Sequence, residues 1–276
     1  MLIPFQKTLQ KKVTFQGVGL HSGLKTEVSV LPATENHGII FKRTDLNKNN
    51  TIKANFENVS SAILCTTLKN KFEVKVTTVE HLLAALYITG IDNALIEVSN
   101  SEIPIMDGSS KEFVETIAKV GIKNLNTKRK YLKIVKKFEL KENEKVISIE
   151  PDNNSLKVNF QLVYSNKVIG SQKNSINFAD TDLTDVYNSR TFCLFEDIEK
   201  IKKIGLAKGG SLENAIVVKD KEILNDNGLR HRHEFIEHKI LDCLGDLMLS
   251  GYRIFGHIKT SQGGHQLTNV LLRKFL

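Results

Sequence analysis

The segment EFIEHKILDCLGDLMLSG, residues 234–251, constrains this chain most. At about 100° per residue, its apolar side chains Phe235, Ile236, Ile240, Leu241, Leu244, Leu247, Met248 and Leu249 cover almost the whole circumference of a helix. A helix apolar nearly all round is a buried one, so the rest of the fold must pack around it. Yet it carries His238 and Asp242 four apart on one face, with Asp246 a further turn along. A buried carboxylate beside an imidazole needs a partner, or desolvation costs on the order of several kcal/mol. Two readings fit: a metal ion shared by both side chains, or a His–Asp hydrogen bond capped by water. The neighbouring His233-Glu234…His238 imitates the HExxH metalloprotease motif but has three residues between Glu234 and His238. Its two histidines would stand about 140° apart on a helix and cannot grip one ion. His231 and His233 read as exposed residues of a loop or helix start.

The 276 residues allow one large domain or two of ordinary size. With 41% hydrophobic and 25% charged residues, the chain has an ordinary soluble composition and enough apolar material for a core. Cys65, Cys193 and Cys243 are odd in number and far apart, with no CxxC, which argues against a disulfide framework or a cysteine-based zinc site. Any metal must therefore be held by histidines and carboxylates. No apolar run reaches the length of a membrane-spanning helix, and MLIPFQKTLQKKV is a poor signal peptide. A cytoplasmic protein is expected. The net charge of +8 admits a nucleic-acid binder. The basic residues are scattered, however, apart from Lys128-Arg129-Lys130 and Lys136-Lys137, and no aromatic-rich basic motif accompanies them. An anionic small substrate, loose attraction to an acidic membrane surface, or a merely solvated basic surface fits as well.

Periodicity divides the chain into two similar halves. Residues 2–32 and 51–76 read as strand-rich, 79–88 as a helix stopped at Gly90, 91–100 as a strand and 109–121 as a helix with Phe113, Ile117 and Val120 on one face. The polar stretch 124–130 is a candidate linker. Strands follow over 131–151 and 155–165, then a helix near 197–205, a short buried strand at 215–218, the long helix 234–251, a strand at 253–262 and a helix at 268–276. The order strands, helix, strand, helix is repeated without a residue-level repeat. Two α+β domains facing each other, 1–125 and 126–276, would place a site at their interface.

Two further constellations carry chemistry. Thr77-Thr78-Val79-Glu80-His81 stands at the start of helix 79–88. Thr77 and Glu80 fit a capping box, and His81 could be a core histidine. With His81 as a third ligand, two histidines and one aspartate would make a catalytic-type zinc set with an open position, and Glu80 would be the adjacent base. Gly263-Gly264-His265 precedes the last helix; its glycines permit close approach of a substrate, though a lone loop histidine is otherwise uninformative.

Taken together these segments resemble one family. TVEHLLAAL (78–86), RTF (190–192), GGS (209–211), HKILDCLGD (238–246) and GGHQLTN (263–269) are similar, in order and separation, to the UDP-3-O-acyl-N-acetylglucosamine deacetylase family, as are GVGLHSG (17–23), ILCTTL (63–68) and IPIMDGSS (103–110). The resemblance spans essentially the whole chain. It implies an α+β fold of two similar domains, each a layer of helices on a mainly antiparallel sheet with a small insert, and an active site at the domain interface. It implies one zinc ion per chain on His81, His238 and Asp242, Glu80 as general base, His265 as general acid, and Asp246 orienting His265 and keeping it charged. Thr191 would donate to the developing oxyanion, and Lys239 would assist near the sugar and phosphate. Phe192 would line the glucosamine site. Leu64, Cys65, Ile198, Ala207, Gly210, Ser211 and Val217 would form the rim and a hydrophobic passage for the acyl chain, with the second insert around 193–220. Phe160 is the expected uracil platform.

The implied substrate is a UDP-sugar bearing a fatty acyl chain, and the implied reaction is hydrolysis of its acetamide early in lipid A synthesis. No nucleic acid, no stable membrane insertion and a monomer are expected. Two positions depart from the pattern: Gln262 stands where a basic residue near the diphosphate is expected, and Leu194 where an aromatic is expected. A nucleic-acid binder would leave the His238/Asp242 pair unexplained. A non-catalytic lipid- or acyl-carrier-binding module would leave the acid, base and ligand set without purpose. A deacetylase of another N-acetyl sugar is the nearest variant.

Overall fold

A computed structural model describes residues 4–152 and 155–276. Met1–Ile3, the start of the stretch read as strand-rich, lie outside the described residues. Two sheets of matching topology organise the chain. In the first, the strands run in the order Val13–Val18, Lys25–Pro32, Ala94–Val98, Ile39–Arg43, Thr51–Lys53. In the second, the path is Phe138–Glu142, Lys145–Glu150, Arg253–Ser261, Leu156–Val163, Ser171–Asn177, and Tyr131–Lys133 pairs in parallel beside Arg253–Phe255. Each sheet is two hairpins split by a strand that arrives last and lies parallel to the first strand of the second hairpin. The late strand buries one face fully and keeps the other partly exposed in each half, as the alternating burial of ALIEV and RIFGHI shows.

The chain between second hairpin and late strand is built alike in both halves. It includes a small three-stranded sheet: Val59–Ser61, Thr67–Lys69 and Lys75–Val76, all antiparallel, in the first half, and Phe192–Leu194, Ile216–Lys219 and Glu222–Ile223, the first two parallel, in the second. A buried helix follows: α1 (Glu80–Thr89) in the first half and, after the short α3 (Thr184–Asn188) and the insert helix α4 (Phe195–Lys203), α5 (Glu234–Met248) in the second. After the late strand each half ends on an amphipathic helix, α2 (Lys111–Val120) or α6 (His265–Phe275). The resemblance predicted an α+β fold of this kind, and the small sheet of the second half with α4 occupies 192–223, where the insert was expected around 193–220.

Helices α1 and α5 pack against each other between the sheets, α2 beside α1 and α6 beside α5. Every α5 residue but Lys239 is buried. The crossing is close enough that a Cβ on Gly245 would lie 2.1 Å from the Glu80 carbonyl oxygen. The buried apolar side chains of both halves form one core cluster.

Three local readings change. The stretch expected to be a linker lies in the strand Ile122–Lys128, paired antiparallel with Phe5–Leu9. Lys123, Asn124, Asn126 and Lys128 stay exposed while the backbone pairs, so polarity did not prevent pairing. The capping box at Thr77 is not formed: α1 starts after Val79 without a side-chain cap. The Thr77 hydroxyl donates instead to the Ser101 carbonyl at 3.3 Å, the neighbouring Thr78 hydroxyl donates to Glu102 at 2.9 Å, and Glu80 turns into the site. Lastly, α6 begins at His265, three residues before the apolar period suggested.

Candidate active site at the crossing of α1 and α5

The crossing brings first turns and mid-helix positions together. His81 from α1 and His238 from α5 present Nε2 to Asp242 Oδ1 at 3.6 and 3.5 Å. One ligand atom from each residue lies within 4.8 Å of the others. These contacts are too long for hydrogen bonds, and Asp242 Oδ1 is buried with no partner among the described residues. Four donors at about 2.0 Å from a tetrahedral zinc would stand about 3.3 Å apart, so the spacing fits an ion shared by the three side chains. The orientation of His238 is set from behind: its Nδ1 bonds the Ser189 carbonyl at 3.1 Å, and since a carbonyl only accepts, Nε2 is left as the bare lone pair facing the cluster. Burial lowers the His238 pKa to about 3, which keeps it in the neutral form that binds metal. Burial would raise the Asp242 pKa, but the adjoining His238 imidazole and the Lys239 ammonium bonded to it outweigh burial and hold the carboxyl well below its usual range. Two imidazoles and a carboxylate are a zinc-type donor set, and all three cysteines are free.

Two acid–base groups face this cluster. Glu80 is buried, and one oxygen accepts the Thr66 N–H at 3.0 Å. Burial raises its pKa, against the pull of His265 and His81. His265, the first residue of α6, holds Asp246 Oδ2 at 2.8 Å through Nδ1, while Nε2 points inward, 3.9 Å from Glu80 and 4.0 Å from Asp242. Burial alone would lower the His265 pKa; the Asp246 charge and hydrogen bond overcome it and push the value up to about 10. Asp246 also accepts the Thr66 hydroxyl at 2.7 Å. Lys239 is tied to Asp242 Oδ2 at 2.6 Å and lies 5.9 Å from the centre of the Phe192 ring.

The segment Arg190–Phe192 is fastened to α5 by a buried ion pair. The Arg190 guanidinium donates to Glu234 at 2.7 and 3.1 Å, and its backbone N–H donates to the same carboxylate. This fixes Thr191 and Phe192 at the junction of two cavities. One cavity, about 170 Å³, is lined by Glu80, His81, His238, Lys239, Asp242 and His265 together with Leu20, Leu64, Tyr164, Thr191 and Phe192. The other, about 370 Å³ and mainly apolar, runs beneath the insert. Leu64, Phe192, Ile198, Ala207, Gly210, Ser211 and Val217 all lie on its wall, with Leu20, Phe195, Ile201 and Leu212. The loop 19–24 closes its near side, held by Glu102, which accepts from the His21 and Ser22 N–H groups at 2.8 and 2.7 Å. Against this loop the insert comes so close that a Cβ on Gly209 would sit 2.3 Å from the Gly19 carbonyl oxygen.

One expected residue is placed differently. Cys65 does not face the apolar cavity. Leu64 takes a left-handed conformation with φ 61° and turns outward, which sends Cys65 inward. Burial and the nearby Glu80 charge push that thiol up to about 12. Phe160 is buried in the strand Leu156–Val163, between a groove of about 560 Å³ on that sheet and the back of Lys239, Asp242 and Asp246. Sequence reasoning missed Thr66, which sits in a loop with no periodic signal, and the Arg190–Glu234 pair, whose members lie 44 residues apart.

The comparison with known proteins agrees with this geometry. A family model described as UDP-3-O-acyl N-acetylglycosamine deacetylase matches residues 6–276. The chain is 41% identical over 273 residues to the UDP-3-O-acyl-N-acetylglucosamine deacetylase of Geobacter sp. (strain M21), covering 99% of this chain and 89% of the relative. To the proteins of that name from Legionella pneumophila (strain Corby) and Colwellia psychrerythraea it is 42% identical over 274 residues and 43% over 272, covering 98% of this chain and 90% and 89% of the relatives. No helix among the described residues is long and apolar enough to cross a membrane. With motifs, fold and relatives in agreement over almost the entire chain, it belongs to the UDP-3-O-acyl N-acetylglycosamine deacetylase family.

Proposed function

We propose that this protein hydrolyses the acetamide of UDP-3-O-acyl-N-acetylglucosamine to UDP-3-O-acyl-glucosamine and acetate, the committed step of lipid A synthesis, with one zinc ion per chain. The observation that carries the reading is the meeting of His81, His238 and Asp242 with a buried carboxylate, Glu80, and a carboxylate-held imidazole, His265, around one cavity. Zinc on the three ligands would supply the Lewis acidity that activates water and polarises an amide carbonyl. Glu80, made more basic by burial, takes the proton of the attacking water. The acetyl carbon gains a bond to the water oxygen and loses its bond to the sugar nitrogen. An amine leaves poorly unless protonated, and His265 Nε2, on the inward side of its ring, delivers that proton. Asp246 holds His265 in place and in the charged form.

Thr191, at the junction of the two cavities, donates to the developing oxyanion. Lys239 shields the negative charge of the site beside the sugar and phosphate, and Phe192 lines the sugar. The apolar cavity beneath the insert takes the 3-O-acyl chain, with Leu64 and Ile198 on its wall. Phe160 lies toward the uracil end. The protein acts as a cytoplasmic monomer that touches membrane at most peripherally, and its domains divide near residue 125.

The test is metal content and deacetylase activity on one purified sample, wild type beside His81→Ala. A single zinc per chain with turnover of the acylated UDP-sugar, both lost in the variant, supports the reading. Absence of metal and of any zinc-restorable activity refutes it. Comparing substrates with and without the 3-O-acyl chain separates this activity from that of another N-acetyl-sugar deacetylase.

A further inference from the structure

On the opposite flank of α5 from Asp242, three more donors converge. Asp185 belongs to α3, His231 to the turn before α5, and Glu237 to α5 itself. One ligand atom from each lies within 4.8 Å of the others. Glu237 is more than nine-tenths buried. Its Oε1 accepts from the Asn174 amide at 2.7 Å, but Oε2 has no hydrogen-bond partner among the described residues. It faces His231 Nδ1 at 3.7 Å, too far for a hydrogen bond.

The protons can be placed from the neighbouring bonds. The Ser189 hydroxyl has one proton, and donates it to the Asp185 carbonyl at 2.7 Å. Its 3.1 Å contact with His231 Nε2 is therefore one in which the hydroxyl oxygen accepts and Nε2 carries the hydrogen. In the neutral ring that leaves Nδ1 as a bare lone pair. With His231 neutral and Glu237 ionised, a bare nitrogen, a bare buried carboxylate oxygen and the Asp185 carboxylate face one another with no donor between them, an arrangement that calls for a cation.

We propose that Asp185, His231 and Glu237 form a second divalent-cation site, separate from the His81–His238–Asp242 cluster. One imidazole and two carboxylates suit a borderline first-row ion such as zinc or manganese(II) better than the all-oxygen shell of calcium. Asp185 is exposed, so solvent can complete the coordination. The two sites meet at Ser189, whose hydroxyl contacts His231 and whose carbonyl bonds His238 Nδ1. A cation here would brace the peptide that orients His238.

The zinc-loaded protein, its first-site metal counted, is equilibrated with excess Zn²⁺ or Mn²⁺ and the metal retained per chain is measured. A second equivalent is expected in the wild type. Asp185→Asn at an exposed position and His231→Gln at a partly buried one are expected to lose that equivalent and keep the first. The proposal is overturned if the wild type retains no second equivalent of either ion, which would leave a protonated His231 as the partner of Glu237. It is equally overturned if both variants retain as much as the wild type. The first-site count serves as the control, so the outcome does not depend on the substrate.

Discussion

The hydroxyl of Thr66 donates to Asp246 Oδ1 at 2.7 Å across the boundary between the two halves. Its backbone N–H donates to Glu80 Oε2 at 3.0 Å. One loop residue thus holds the proposed base directly and the proposed acid through its carboxylate. Thr66→Val keeps the shape and the N–H but removes the hydroxyl. A hydrogen bond to a charged group contributes about 1.5–3 kcal/mol, so kcat is expected to fall roughly 10-fold or more, with KM and metal content little changed. Steady-state kinetics with metal analysis decide the matter; a kcat within twofold of wild type would show that the bond is not used in turnover.

Asp246 sets the protonation of His265, and this gives a pH prediction with a defined sign. Burial lowers the His265 pKa, and the Asp246 charge and hydrogen bond raise it further than burial lowers it, to about 10. A general acid must carry its proton, so activity is lost as pH rises through this pKa. Asp246→Asn removes the leading cause of the rise. The alkaline limb of the kcat–pH profile is expected to move to lower pH, beyond any loss of kcat at the optimum. A limb that stays in place would mean that another group sets it.

What was legible in the sequence follows from periodicity. His238, Asp242 and Asp246 stand out because they interrupt a helix that is otherwise apolar all round, and the helical repeat places them on one face. Glu80 and His81 were legible as polar residues at the head of an apolar helix, although the capping box suggested another task for Glu80. That the two helices cross at Gly245 is a tertiary fact with no local signal. Thr66 lies in a loop, and Glu102, which ties the loop 19–24 to Thr78, acts through partners 80, 81 and 24 residues away. The strand Ile122–Lys128 read as a linker because only its partner at the other end of the domain, Phe5–Leu9, gives it structure. The Asp185–His231–Glu237 cluster likewise forms only when α3 packs on α5.

The apolar cavity makes a prediction about selectivity. Ile198 lies on its wall from the insert helix α4, away from His81, His238 and Asp242. Ile198→Trp is expected to narrow the passage. Each buried methylene of an acyl chain contributes about 0.8 kcal/mol, so excluding two or three of them would lower kcat/KM for a long-chain substrate roughly 10-fold or more. Turnover of a short-chain analogue and the zinc content should change little. If long and short chains are affected alike, the acyl group does not occupy this cavity.

The tightest constraint on the site is the approach of α1 to α5. A Cβ added at Gly245 would meet the Glu80 carbonyl oxygen at 2.1 Å, and because this is backbone it cannot swing aside as a side chain would. Gly245→Ala must push the helices apart, and overpacking of this kind costs about 1–3 kcal/mol. The displacement falls on the residues that matter most, since Glu80 and His81 ride on one helix and His238, Asp242 and Asp246 on the other. The variant is expected to melt several degrees lower and to release its metal on dialysis more readily than wild type. Gly264→Ala is the control: its backbone is extended at φ −177°, and an added Cβ meets nothing within 4 Å. Calorimetry and metal analysis of the two variants side by side test the point. Equal melting temperature and equal metal retention would mean that the crossing yields without cost, and the donor set would then not depend on the spacing that the glycine allows.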